Sequence, residues 1–176
     1  MKSPVYTKVH NRFLLNGYNY NRNSLKEVAH SFIKEGDHHE KFMGDFLMDW
    51  LDSSEIIYIE TSGTTATPKR ILFKKQALVN SAIATGDFFN VSKGDKALHC
   101  LPVCFIAGKM MMIRAIILGL SLDLVSPSKN PFYKNNKIYD FVAMTPMQAF
   151  HSLSKMNQIK KLIIGGSFIS HTLQEA

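Results

Sequence analysis

The sequence has 176 residues, 45% of them hydrophobic, which is enough for one buried core and excludes a wholly disordered chain. The formal net charge is +7 at pH 7, but the basic residues are scattered, so nucleic-acid binding is not expected. The most apolar stretch, residues 110–120, carries Arg114 and is shorter than the roughly 20 residues of a membrane-spanning helix. Without an apolar signal core near its start, the chain is expected to be cytoplasmic, with no membrane insertion. Its oligomeric state stays open.

Cysteine and histidine content suggests neither a disulfide framework nor a metal centre. The chain has only two cysteines, Cys100 and Cys104, which are too few for a disulfide framework. We expect both to be small buried side chains in a reduced compartment. His38, His39 and Glu40 are adjacent at a predicted helix start. Neighbouring helical side chains point about 100° apart and chelate poorly. We therefore interpret this cluster as solvated surface and predict no metal site.

The first third of the chain predicts a hairpin and two helices. Asn16-Gly17 between apolar and aromatic residues is typical of a two-residue hairpin turn. Ser24 with Glu27 forms a capping box, so a helix is predicted from there to Gly36. A second helix is predicted over residues 37–51. Its apolar side is expected to consist of Phe42, Phe46, Leu47 and Trp50.

The rest of the chain alternates between strand-like and helix-like segments. Strands are predicted at 56–59, 71–73, 97–101, 122–125, 141–144 and 162–164, and helices at 76–89, 105–118 and from Pro146 to about residue 155. This alternation favours an α/β fold with a mostly parallel sheet and flanking helices. Such sheets carry ligand sites at the carboxyl ends of their strands. We expect the loop after residue 60 and the Gly165-Gly166 pair to lie there.

Residues 61–69, TSGTTATPK, form a loop rich in hydroxyl groups that ends in a lysine. Hydroxyls and backbone N–H groups donate to phosphate oxygens, Gly63 permits close approach, and Lys69 adds a positive charge. Gly63 and Lys69 have the spacing of a Walker A loop, but Pro68 and Arg70 replace its second glycine and its metal-binding hydroxyl. The residues suggest an anion cradle, with a plain connecting loop as the alternative.

The same nine residues resemble the phosphate-binding signature of the adenylate-forming enzymes, which include acyl-CoA synthetases, luciferases and nonribosomal adenylation domains. That pattern is Thr-Ser-Gly-Ser/Thr-Thr-Gly-x-Pro-Lys, and the sequence departs from it at Ala66. Three further segments resemble later blocks of the family in the same order. They are LPVCFIAGKMMMIRAIILG (101–119), FVAMTPMQ (141–148) and KLIIGGSFIS (161–170).

The resemblance implies the residues of the binding sites. It implies contacts to the ATP phosphates from Thr61, Ser62, Gly63, Thr64, Thr65 and Lys69. It implies contacts to the acid and the adenosine from Phe105, Gly108, Gly165, Gly166 and Ser167. A second, unreacted carboxylate on the acid would need a cation, for which Lys109 and Arg114 are the candidates on the following helix. Their side chains would lie about 140° apart, so both cannot face one pocket. We favour Lys109, which is nearer the Phe105–Gly108 turn, with a plain surface lysine as the alternative. Phe105 stands where the family usually has histidine. The catalytic lysine of the family lies beyond this chain, and the protein itself is not expected to ligate a metal.

The resemblance also implies the reaction and its cofactors. The family uses ATP and Mg²⁺ to convert a small carboxylic acid into an acyl adenylate, which coenzyme A then accepts. Within the family the chain is most similar to o-succinylbenzoate–CoA ligase of menaquinone biosynthesis. Another acyl or aryl acid–CoA ligase, an adenylation domain and an inactive truncated remnant are the alternatives. Residues 1–176 are expected to be part of an N-terminal AMP-binding domain, without the C-terminal domain.

Overall fold

The computed structural model describes residues 4–61 and 69–175. Its strands are β1 (Leu14–Leu15), β2 (Tyr18–Asn19), β3 (Ile56–Thr61), β4 (Lys69–Lys74), β5 (Lys96–His99), β6 (Ser121–Leu124), β7 (Phe141–Met144) and β8 (Leu162–Ile164). Its helices are α1 (Arg22–Glu35), α2 (His38–Trp50), α3 (Lys75–Phe88), α4 (Ile106–Leu118), α5 (Pro146–His151) and α6 (His171–Gln174), with a 3₁₀ helix at Leu153–Gln158.

Six of these strands form one sheet in the order β2-β1-β6-β5-β7-β8. In this sheet order, the neighbouring pairs β1–β6, β6–β5, β5–β7 and β7–β8 are all parallel. At one edge, β2 pairs antiparallel with β1. The predicted α/β fold with a mostly parallel sheet and flanking helices is therefore confirmed. β3 and β4 form a separate two-stranded antiparallel sheet. The expectation that residues 61–69 follow a strand of the parallel sheet is wrong, because within residues 4–61 and 69–175 β3 pairs with its hairpin partner β4 alone.

The predicted hairpin at Asn16-Gly17 is confirmed. Both residues have positive φ, 50° at Asn16 and 86° at Gly17, so both lie in the left-handed region. A two-residue turn of this kind matches the twist of the flanking strands, and asparagine and glycine adopt it at low cost. The Asn16 side chain also accepts a hydrogen bond of 2.8 Å from the backbone N–H of Leu124. This bond ties the turn to the carboxyl end of β6.

Helix α1 begins earlier than the predicted capping box. Asn21 is the N-cap, and its side chain accepts from the backbone N–H groups of Asn23 and Ser24 while Ser24 Oγ accepts from the Asn21 N–H. Ser24 is therefore the third helical residue and not the cap. Asparagine caps as well as serine does, so the upstream box adds most of a turn without a penalty. The predicted end at Gly36 is confirmed.

Helix α2 buries most of the predicted apolar side. Phe46, Leu47 and Trp50 are at most 2% exposed, and burying such side chains contributes roughly 1.5–3 kcal/mol each. Phe42 is wrongly placed in that group, because 44% of it is exposed and Met43 is buried instead. The helix is capped by Asp37, whose carboxylate accepts from the N–H groups of His39 and Glu40.

The parallel sheet is covered on both faces. Phe141 and Ala143 of β7 point into the larger core, which contains buried residues of α1 to α4. Val142 and Met144 point into a smaller cluster with Phe132 and other buried residues. Alternate residues of a strand face opposite sides, so β7 contributes to both cores. In the two described ranges, every helix is too short or too polar to cross a membrane.

Candidate functional site

The ends of β3 and β4 carry the first and last residues of the predicted phosphate loop. Thr61 and Lys69 are the last residue pair of this antiparallel ladder. Ser62, Gly63, Thr64 and Thr65 lie outside the described residues. The hairpin therefore holds the backbone of Thr61 beside that of Lys69 at its open end, with the hydroxyl-rich segment connecting them.

A buried lysine fixes the other end of this hairpin. Lys75 is 0% exposed, and its backbone N–H donates to the Glu55 carbonyl at 2.8 Å. Its Nζ donates to Asp52 Oδ1 at 2.6 Å. Burial raises the pKa of Asp52, but the hydrogen bond from Lys75 and further contacts outweigh it and hold that pKa below its usual range. These contacts attach the base of the hairpin to the C-terminal end of α2.

Residues 101–105 form a tight turn between β5 and α4. Phe105 caps α4 and donates its N–H to the Pro102 carbonyl at 3.3 Å. Gly108 lies directly under this turn. A Cβ at Gly108 would be 2.6 Å from the Pro102 carbonyl carbon and closer still to its oxygen. Only glycine allows the first turn of α4 to pack against this backbone.

A pocket of about 430 Å³ opens beside this turn, at the carboxyl ends of β5 and β6. Residues of the turn form one wall, the first turns of α2 form another, and Ser126 and Pro127 after β6 complete it. Phe105, which is 46% exposed, and Lys109 are not among the residues described as lining the pocket. Among the predicted acid-binding residues, Gly108 contacts the lining residue His99, whose Nε2 lies 3.0 Å from the Gly108 carbonyl oxygen.

The two candidate cations of α4 have different surroundings. Lys109 is partly buried, and its Nζ lies 5.1 Å from the centroid of the Phe46 ring. The Arg114 side chain is also partly buried, and this burial lowers its pKa. The two side chains leave the helix about 140° apart, as five residues at 100° each require. The role of Lys109 in acid binding stays a prediction.

The glycine pair after β8 lies at the same edge of the sheet. Gly165 donates its N–H to the Met144 carbonyl at 3.1 Å, and Gly166 has a φ of 93°. A Cβ at either glycine would meet no described atom within 4 Å, and Ser167 is exposed. β8 is two strand spacings from β5, roughly 10 Å. The open space beside the glycines thus fits a flat group bound close to the backbone.

His99 is the main residue of this region that sequence reasoning missed. It is 1% exposed, lines the pocket and bonds through Nε2 to the Gly108 carbonyl at 3.0 Å. Burial lowers its pKa to about 4. The signal was the alternation in β5, since His99 follows Ala97 by two residues and must share its buried face.

Two predictions about polar side chains near the pocket are wrong. Cys100 is buried as expected, and burial raises its pKa to about 12, but Cys104 is exposed. The interpretation of residues 38–40 as solvated surface is confirmed for His38, which is exposed, and is wrong for His39, whose side chain is 19% exposed. The Nδ1 atom of His39 lies 2.5 Å from Asp37 Oδ1 and 3.1 Å from Ser126 Oγ. Among the described residues, no group of three or more His, Cys, Asp or Glu side chains could hold a metal ion.

Comparison with known proteins identifies the family. Residues 21–160 match the family described as AMP-binding enzyme. The chain belongs to this AMP-binding family. The resemblance to the adenylate-forming enzymes is thereby confirmed, and the sheet described above is the corresponding part of their fold.

The chain is similar to proteins that are considerably longer. A solved acyl-CoA synthetase (AMP-forming)/AMP-acid ligase II-like protein from Dyadobacter fermentans is 30% identical, with a TM-score of 0.75 over 85% of this chain and 45% of its own. Gramicidin S synthase 1 of Brevibacillus brevis is 27% identical over 129 residues, or 69% of this chain and 12% of its own. The chain therefore spans less than half the length of these relatives.

A third comparison bears on the fold alone. The o-succinylbenzoate coenzyme A synthetase from Bacillus subtilis, solved in complex with AMP, has a TM-score of 0.57 and 20% identity. The match covers 67% of this chain and 26% of that protein. At this identity the likeness shows a shared architecture and leaves the substrate of this chain open.

Proposed function

We propose that the protein containing this chain activates a carboxylic acid with ATP as an acyl adenylate and transfers the acyl group to coenzyme A. The observation that carries this proposal is the AMP-binding family match over residues 21–160, which includes the hydroxyl-rich segment. Bound Mg-ATP would supply the electrophilic phosphorus and the pyrophosphate leaving group, and coenzyme A the accepting thiol.

The residues of this chain would act by positioning and charge. A carboxylate and a triphosphate are both anionic, so holding them together and neutralising their charge lowers the barrier. Lys69 and the hydroxyls from Thr61 to Thr65 would hold the β- and γ-phosphates. Gly165, Gly166 and Ser167 would leave room for the adenosine and the acyl group, and the open space beside the two glycines supports this role.

The two ends of β4 offer a matched test of the phosphate contact. Lys69 pairs with Thr61 at the loop end of the strand, and Lys74 pairs with Ile56 at the far end. We expect Lys69→Met to lower acid-dependent exchange of pyrophosphate into ATP by about 10²-fold, because it removes a donor to the phosphates. Lys74→Met should leave the exchange unchanged. Equal rates in the two variants would contradict the proposed phosphate site.

The proposed acid is o-succinylbenzoate. The short region before β3 and the 101–119 segment most resemble the ligases for this acid, and the fold likeness to the Bacillus subtilis enzyme is compatible with it. Its second carboxylate does not react and needs a cation. Lys109 would provide one from the first turn of α4, where it lies partly buried.

Substrate kinetics separate this acid from others. We expect o-succinylbenzoate to support exchange better than benzoate or a fatty acid. Lys109→Ala should raise the Michaelis constant for the diacid and not for benzoate, whereas Lys41→Ala, an exposed lysine on α2, should change neither. An equal effect of Lys109→Ala on both acids would remove Lys109 from the diacid site.

The similarity to Gramicidin S synthase 1 favours a second candidate, in which the activated acid is passed to another acceptor than coenzyme A. Exchange with a panel of amino acids, followed by product analysis with coenzyme A, distinguishes the two. An inactive remnant is the remaining alternative. It would give no saturable heat when titrated with Mg-ATP.

A further inference from the structure

The pocket beside the 101–105 turn has apolar walls and a small number of polar atoms. Its apolar lining comes mainly from Phe42, Met43, Leu101, Val103 and Pro127. A volume of about 430 Å³ lies within the range of small-molecule sites, which typically combine such walls with a few placed polar groups. The polar groups that line it therefore decide which ligand it can take.

The first polar group is the buried imidazole of His99, in which one of the two ring nitrogens has no hydrogen bond to any described residue. His99 Nε2 lies 3.0 Å from the Gly108 carbonyl, which can only accept, so Nε2 carries the proton. Nδ1 is then a lone-pair acceptor. It is fully buried and has no hydrogen-bond donor within the described ranges. Burial keeps the pKa near 4, so the ring is neutral at pH 7.

The second polar group is His39 at the start of α2. The carboxylate of Asp37 can only accept, so its 2.5 Å contact fixes the proton of His39 on Nδ1. Nε2 is left buried, and nothing in the described part of the chain bonds to it. The His39 side chain is 19% exposed and is part of the pocket lining.

We propose that this pocket binds a small, mainly apolar molecule through a hydroxyl or amide N–H that donates to His99 Nδ1, with His39 Nε2 as the second polar contact. A buried acceptor without a donor is unfavourable, so a ligand that supplies one gains affinity over a ligand that does not. A carboxylate has no proton to donate and would face the lone pair of Nδ1. Water can meet the same need, but only a molecule with an apolar body also fills the apolar walls.

This inference is independent of the proposed adenylation. The polar atoms that carry it belong to His39 and His99, and the predicted carboxylate contact Lys109 does not line the pocket. Its test is occupancy of the pocket, which needs neither ATP nor turnover. Loss of adenylation activity and loss of binding in this pocket are therefore separate results.

The two cysteines provide the measurement. Cys104 is exposed and lines the pocket, whereas Cys100 is buried and burial raises its pKa to about 12, so it is not expected to react. The rate of alkylation at Cys104, located by peptide mass spectrometry, reports whether the pocket is filled. The probes are benzyl alcohol and benzyl methyl ether, which share an aromatic body and differ in the donor, together with benzoate.

We expect benzyl alcohol to slow alkylation of Cys104 in a saturable way, and the ether and benzoate to need about 10-fold higher concentrations, as loss of one hydrogen bond to a buried acceptor implies. Equal protection by alcohol and ether, or no protection by any probe, would overturn the proposal. This comparison uses the unaltered protein and does not depend on the folding of any variant.

A pair of histidine variants tests the assignment to His99. His99→Phe keeps a ring of similar shape and removes the acceptor, so the advantage of alcohol over ether should disappear. His151→Gln, an exposed histidine on α5, serves as the control and should keep that advantage. Retention of the full advantage in His99→Phe would overturn the assignment.

Discussion

The buried imidazole of His99 predicts a specific loss of stability in mild acid. Its pKa is about 4 in the folded protein, against an ordinary value of 6.5, because burial disfavours the charged ring. Between these values the unfolded chain binds a proton that the folded chain does not bind. The free energy of unfolding therefore has its full value above pH 6.5 and decreases as the pH falls from 6.5 towards 4.

The size of the effect follows from the pH interval. Each pH unit below 6.5 costs about 1.4 kcal/mol until the folded ring also titrates, so roughly 2 kcal/mol is lost by pH 5. In His99→Phe this contribution is absent. We expect the free energy of unfolding to fall by about 2 kcal/mol more in the unaltered protein than in the variant between pH 7 and pH 5.

Urea unfolding followed by the fluorescence of Trp50 measures this difference. Trp50 is the single tryptophan of the chain and is 0% exposed in the larger core. His10, whose pKa is also lowered by burial, contributes equally to both proteins and cancels. The control His151→Gln should show the full pH dependence. An identical pH dependence in His99→Phe and the unaltered protein would refute the reasoning, because His99 would then titrate normally when folded.

Three further predictions concern packing, capping and an ion pair. Gly108→Ala should destabilise by about 1–3 kcal/mol in urea unfolding, because its Cβ would overlap rigid backbone, whereas Gly165→Ala has open space and should stay within about 0.5 kcal/mol. Asn21→Ala should cost about 1 kcal/mol in the same assay, since it removes the cap of α1. Lys75→Met should raise the pKa of Asp52, measured by NMR titration, because it removes the 2.6 Å contact. An unchanged pKa would show that this contact is not maintained in solution.

Short sequence patterns predicted most helices, strands and turns, because the conformation of these elements depends on neighbouring residues. The turn at Asn16-Gly17 depends on the φ angles of two residues, and the strand at Phe141–Met144 on an apolar run of four. The start of α1 was displaced because two capping boxes overlap in the sequence. One begins at Asn21 and the other at Ser24, and local propensity does not decide between two good caps.

Sheet membership and burial could not be predicted in the same way. The sequence of β3 is apolar and β-branched, as expected for a buried parallel strand, yet β4 is its one partner in the part of the chain that the structure describes. Phe132 lies among polar residues, yet it is 1% exposed and packs edge-to-face against Tyr139. Both outcomes depend on packing in the folded chain, where β3 stays outside the parallel sheet and Phe132 joins a cluster with Leu98 and Val142.

The candidate site rests on two separate supports. The loop end of the hairpin carries Thr61 and Lys69, and its base is held by the buried contacts of Lys75. The pocket and the glycine pair are instead held by the parallel sheet, whose strands end at one edge. Ile57 and Ile59 of β3 pack into the same core as the sheet, so the two supports are joined, but the predicted phosphate and acid contacts lie on different ones. If the proposed reaction is correct, substitutions at the hairpin should change the Michaelis constant for ATP more than that for the acid, and substitutions around Gly108 should do the reverse.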